Sequence, residues 1–313
     1  AVREAKRLTG NDVPLHIVGF SNGGALAMKY SLDALDNAEL AKPQRVILIS
    51  PMIGITSFAR FSGLAGWPAF LPAFSKAAWL NIMPEFNPFK YNSFPTNAAR
   101  QSFLLTKALQ KQIVTDSRNH RLNSLPPVLT FQSVVDSTVS TRAIVTALYN
   151  RLPENGSEIV LFDLNHAVRF NSLLRRTSYT ALARLLPAPP RAYQTTIITN
   201  ANSASTDMEI RTTPAGKTDT TVEKLQGMRY LPDVYSLSHV ALPFPLSDSL
   251  YGRYPHPLNQ YGISLGTFAA RGERSVLVVG LDSLMRQSSN PFFPYMIKRI
   301  DEGIDTRPAL SGK

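Results

Sequence analysis

Cysteine is absent from all 313 residues, which excludes disulfides and thiolate metal sites and leaves the compartment open. Tryptophan occurs twice and histidine five times, so imidazole chemistry must draw on a very small set. No run approaches the roughly 18 consecutive apolar residues of a membrane-spanning helix. Acidic residues are scarce beside basic ones: 22 Asp and Glu face 33 Lys and Arg, for a formal charge of +11. That surplus favours anionic surfaces, a membrane face among them. The basic residues are nevertheless scattered, with only short clusters such as Arg175-Arg176, and no nucleic-acid-binding motif accompanies them. No internal repeat, low-complexity tract or signal-peptide pattern is visible.

What is present is a composition that can bury a large core, 44% hydrophobic. Near the start, Leu15 to Phe20 reads as a buried strand and Ala25 to Tyr30 as the beginning of a helix. Between them lies Gly19-Phe20-Ser21-Asn22-Gly23, a G-x-S-x-G pattern. In a strand-turn-helix setting this is the nucleophile elbow, a sharp turn that holds a serine above the sheet edge. Gly19 and Gly23 are expected to be glycine because side chains two before and two after the serine would collide across the turn. Gly24, Ala25 and Ala27 are expected to let the helix pack closely on the strand. A glycine-rich turn with no chemical role has the same local pattern. A phosphate cradle does not, because the Lys-Ser/Thr ending of a P-loop is missing.

The rest of the chain reads as an α/β protein with a mostly parallel sheet and helices on both faces. Arg45 to Pro51 is a second buried strand, which makes a βαβ unit with the first. Residues 52 to 110 carry both tryptophans and many phenylalanines and are cut by Pro68, Pro72, Pro84, Pro88 and Pro95. Proline breaks helices, so this stretch reads as an aromatic cap inserted between strands rather than a crossover helix. The organisation expected is a first core part at 1–51, a cap at 52–115 and the remaining core at 116–313. The sheet is expected to resume over Pro127 to Val139 and Glu158 to His166, with further strands at Tyr193 to Asn200 and Ser275 to Gly280. Helices are expected over Thr141 to Leu152, Val168 to Leu186 and Phe293 to Gly303, and residues 201 to 230 read as polar loop. Val234 to Gly252, punctuated by prolines, reads as irregular.

A serine needs a base in hydrogen-bond reach and a third group to orient that base. Asp136 follows an apolar strand, at the carboxyl edge where sites in such sheets are built, although it could instead cap the next helix. Among the histidines, His16 opens the elbow strand and His120 precedes the acid strand, so both read as structural, and His256 between two prolines is a remote candidate. Two remain. His166 directly follows the strand after Asp136, and spacing alone favours it as the base; His239 lies later, in an irregular segment among small and aromatic neighbours.

The serine motif, the insertion and the acid strand resemble the α/β-hydrolase superfamily, within its monoglyceride-lipase and serine-aminopeptidase-like (S33) group. More narrowly, GFSNGG (19–24), NPFKYNSFP (87–95), FQSVVDSTVSTR (131–142) and SLSHVALPFPLSDSLYG (236–252) resemble a bacterial subgroup of these hydrolases. The resemblance implies that the base lies in the SLSH segment, which puts His239 ahead of His166. It implies acyl transfer by Ser21, His239 and Asp136, with the backbone N–H of Asn22 as one oxyanion donor, on a small-molecule acyl ester bound under the aromatic cap. No cofactor or metal is implied. An α/β-hydrolase sheet has several strands ahead of its nucleophile, so Ser21 at this position also implies that further N-terminal strands, with the other oxyanion donor, precede this stretch of chain.

Overall fold

The computed structural model describes residues 1–10, 12–54, 78–82, 93–168, 173–255, 264–266, 276 and 289–305. Helix α1 (Val2–Thr9) leads into strand β1 (His16–Phe20), the elbow, helix α2 (Asn22–Asp36) and strand β2 (Arg45–Ile49). A small antiparallel pair, β3 (Trp79–Asn81) and β4 (Phe94–Pro95), precedes helix α3 (Thr96–Arg118). Then come β5 (Val128–Ser133), a helical segment opened by α4 (Thr141–Ala143), β6 (Glu158–Phe162), the short α5 (Arg176–Tyr179), β7 (Gln194–Asn200), β8 (Met208–Thr213), β9 (Thr221–Leu225) and α6 (Phe293–Asp305).

Seven strands form one sheet in the order β1-β2-β5-β6-β7-β8-β9. The first five are mutually parallel, and β8 and β9 turn the far edge antiparallel. Parallel strands must be covered on both faces, and the alternation of side chains achieves it. Val46 and Leu48 of β2 and Ile159 and Leu161 of β6 enter one core with Met28 of α2 and Leu109 and Ile113 of α3. Ile47, Leu129, Phe131, Val160 and Phe162 point the other way, into a core with Phe292 and with Met296 and Ile300 of α6. α6 is pinned at the start of β6, where Arg299 pairs with the buried Glu158, which also accepts from Thr196 Oγ1 at 2.7 Å.

Several expectations are corrected. The helix expected over Val168 to Leu186 does not form: beyond 169–172, which lie outside the described residues, there are only α5 and a 3-10 turn at Leu182–Arg184. The stretch 201–230 is not all loop but contains β8 and β9, of which β9, at the sheet edge, carries mostly polar and exposed side chains. The region 52–110 does include a long helix, because its prolines end at Pro95, which sits at the N-cap of α3. α3 runs 23 residues, crosses the 115 boundary and joins the helical layer. Thr141 to Leu152 is helical but irregular, with a π turn at Ile144–Leu148 and a 3-10 turn at Tyr149–Arg151. Most of the aromatic cap and of the strand expected at Ser275 to Gly280 falls outside the described residues, as does His256.

Candidate active site

Because β1, β2, β5 and β6 are parallel, the residues that follow each of them gather at one edge of the sheet. Ser21 follows β1 with φ 54° and ψ −119°, a backbone conformation that L residues rarely adopt. Its surroundings impose that turn. The Ser21 N–H donates to Ile49 O at 3.0 Å, and Ser21 O accepts from Gly24 N at 3.0 Å and from Met52 N at 2.9 Å. Gly19 is required, since a Cβ there would lie 2.6 Å from Gly23 O. Gly23 is not: a Cβ there meets nothing within 4 Å. The second crowded position is instead Gly24, where a Cβ would come within 2.8 Å of Pro51 Cβ, beyond β2.

Asp136 lies just beyond β5, its side chain fully buried. Oδ1 accepts from the backbone N–H of Thr138 at 2.8 Å and of Val139 at 3.0 Å, and Oδ2 accepts from Gln132 Nε2 at 3.2 Å. The remaining site on Oδ2 faces His239 Nδ1 at 2.8 Å. Burial pushes the Asp136 carboxyl up, but the hydrogen bond and charge of His239, with the Val139 and Thr138 N–H groups, outweigh it and hold the group below the usual carboxylate range. A carboxylate can only accept, so Nδ1 carries the proton and Nε2 of the neutral ring is left as an acceptor. Ser21 Oγ stands 2.9 Å from that Nε2. The ring is 5% exposed and tilted against Phe20, with centroids 5.2 Å apart.

Three side chains from positions 21, 136 and 239 thus form one continuous chain of hydrogen bonds. Such an arrangement lets the imidazole take the serine proton while the carboxylate stabilises the charge that results. Asn22 opens α2, where the first N–H groups have no intrahelical acceptor and sit at the positive end of a 15-residue helix.

The architecture is a mostly parallel α/β sheet with helices packed on it. No family model matches the chain, and no curated protein matches it. Among solved structures, a soluble variant of monoglyceride lipase from Saccharomyces cerevisiae, in complex with a substrate analog, aligns with a TM-score of 0.35 and 13% identity over 50% of this chain. The chain spans only 55% of that structure's length. The chemistry of the site stands on its own distances.

His166, favoured by spacing, is not brought to Ser21. Its Nε2 faces Asp163 Oδ2 at 3.0 Å, and its ring meets Tyr179 edge to face, with centroids 4.7 Å apart. His16 is at the start of β1 and His120 is in an exposed left-handed turn, both away from the elbow edge. Sequence reading missed Gln132. An amide four residues before a candidate acid is a signal only when the strand between them is known to end in a tight turn.

Proposed function

We propose that the protein is a serine hydrolase that cleaves an apolar acyl ester through an acyl-enzyme, related to the monoglyceride-lipase and serine-aminopeptidase-like group. One observation carries the reading: His239 bridges Ser21 Oγ and Asp136 Oδ2 at 2.9 and 2.8 Å from a segment remote in sequence from both. In this reading His239 Nε2 removes the Ser21 proton as Oγ attacks the ester carbonyl. The tetrahedral oxyanion is met by the Asn22 N–H. Collapse expels the alcohol, which takes its proton from the His239 imidazolium, and leaves the acyl group on Ser21 Oγ. Water, deprotonated by the same nitrogen, then releases the acid and restores the serine. Asp136 keeps its charge throughout, holding the ring in the Nδ1–H form.

The test is hydrolysis of a panel of chromogenic acyl esters, amides and thioesters by wild type and Ser21→Ala. Ester cleavage that Ser21→Ala abolishes supports the reading. Cleavage that persists in Ser21→Ala sinks it, and a preference for aminoacyl amides or thioesters moves the substrate to another class on the same serine.

A further inference from the structure

His239 is carried by irregular backbone. Residues 234–239 are all buried, yet they belong to none of the helices or strands. Buried carbonyls outside regular structure need donors from elsewhere, and here three of them find donors on the ends of β5 and β6. Asn165 Nδ2 donates to Val234 O at 2.8 Å, and the Asn165 backbone N–H donates to Tyr235 O at 2.9 Å. Ser133 Oγ donates to Leu237 O at 2.8 Å, two residues from His239. Asn165 is itself held. Its Oδ1 accepts from Ala167 N at 3.2 Å and from Asn200 Nδ2 at 3.3 Å, so the amide nitrogen must face Val234. Asn165 is 2% exposed and Ser133 is fully buried. Ser133 also shares the acid's surroundings, since its carbonyl accepts from Gln132 Nε2 at 3.1 Å and from Thr141 Oγ1 at 3.0 Å.

We infer that Asn165 and Ser133 are positioning residues for the base, fixing the Val234–Leu237 backbone so that the His239 ring can span Asp136 and Ser21. This rests on the proposed role of His239. Without the two side chains the carbonyls of Val234 and Leu237 would be stranded, and the segment would shift to find other donors. A shift of about 1 Å at a reacting group costs on the order of a hundredfold in rate without weakening substrate binding.

The experiment compares Asn165→Asp, which keeps the shape but sets an oxygen against Val234 O, and Ser133→Ala, which deletes the hydroxyl. Ile113→Val, in the core on the other face, serves as a control for lost stability alone. Steady-state kinetics on a chromogenic ester are read together with the low-field proton NMR signal of His239 Nδ1–H. The expected result is a ten- to hundredfold fall in kcat with KM within about twofold, and a shifted or broadened His239 signal, in both site variants and not in the control. Folded variants with wild-type kcat and an unshifted signal overturn the inference, as does a fall in kcat that Ile113→Val reproduces. Should Asn165→Asp fail to fold, Ser133→Ala decides by the same criteria. If wild type cleaves no ester, the functional reading fails while the NMR signal still tests the positioning.

Discussion

Two Asp–His pairs stand at the ends of neighbouring parallel strands, Asp136–His239 beyond β5 and Asp163–His166 beyond β6. Residue types and contact lengths are nearly the same, at 2.8 and 3.0 Å. The rings are turned opposite ways. In the first pair Nδ1 faces the carboxylate, so the outer nitrogen Nε2 projects to Ser21. In the second, Nε2 faces the carboxylate, and Nδ1 is buried with no hydrogen-bond partner among the described residues. Asp136 is saturated by two backbone N–H groups, Gln132 and His239, whereas Asp163 is tied to its own surroundings by Leu164 N and Thr199 Oγ1. An acid beside an imidazole is therefore no sign of a base. The free nitrogen must also face a group whose proton it can take, as His239 Nε2 faces Ser21 Oγ.

The largest effect that separates the pairs comes from the reacting atoms. Ser21→Ala and His239→Ala should each lower ester turnover by about 10⁴-fold or more, because such groups act as a unit. His166→Ala should leave turnover within about tenfold of wild type and instead cost about 1–2 kcal/mol, through its lost contacts to Asp163 and Tyr179. Parallel kinetics and urea melts on the three variants check this, and comparable losses of turnover in both histidine variants would erase the distinction.

Next is the acid. Asp136→Asn should reduce kcat by about 10⁴-fold, since an amide in place of the carboxylate favours the wrong imidazole tautomer. The same substitution probes pH. The folded pKa of Asp136 lies below its ordinary value of 3.8, so its contribution to stability is fully present above that value and is lost as pH falls through the lower folded pKa. Urea denaturation from about pH 5 down to about pH 2 should show a shallower acid loss in Asp136→Asn than in wild type. Identical slopes would mean that the carboxylate is not held in the charged state.

The smallest effect concerns two glycines that look equivalent in the motif. Gly24→Ala drives a methyl into Pro51 and should destabilise by about 1–3 kcal/mol. Gly23→Ala meets open space inside α2 and should be neutral or stabilising by up to about 1 kcal/mol. Thermal melts of the two variants distinguish these signs.

How much of this was legible depends on how local each signal is. β1, the elbow, α2, β2 and the central strands β5 and β6 announce themselves as largely apolar runs, because strands in a sheet covered on both faces favour apolar side chains. β8 and β9 do not, since edge strands such as Thr221–Leu225 carry exposed side chains and lack that pattern. The end of the cap was hidden by its prolines, of which Pro95 marks the start of α3 and not a break within it. Ser21 and Asp136 could be picked out because each follows a strand. The choice between His166 and His239 could not be made from spacing, which measures distance along the chain, whereas the His239 segment is brought back to β5 by Ser133 and to the end of β6 by Asn165.

The most direct measurement is labelling with a fluorophosphonate probe, with the modified peptide identified by mass spectrometry, in wild type, His239→Ala and His166→Ala. The account predicts that the label lands on Ser21 in wild type and His166→Ala and is lost in His239→Ala. Labelling that survives His239→Ala but disappears in His166→Ala, or a folded wild type that takes no label at Ser21, would contradict it.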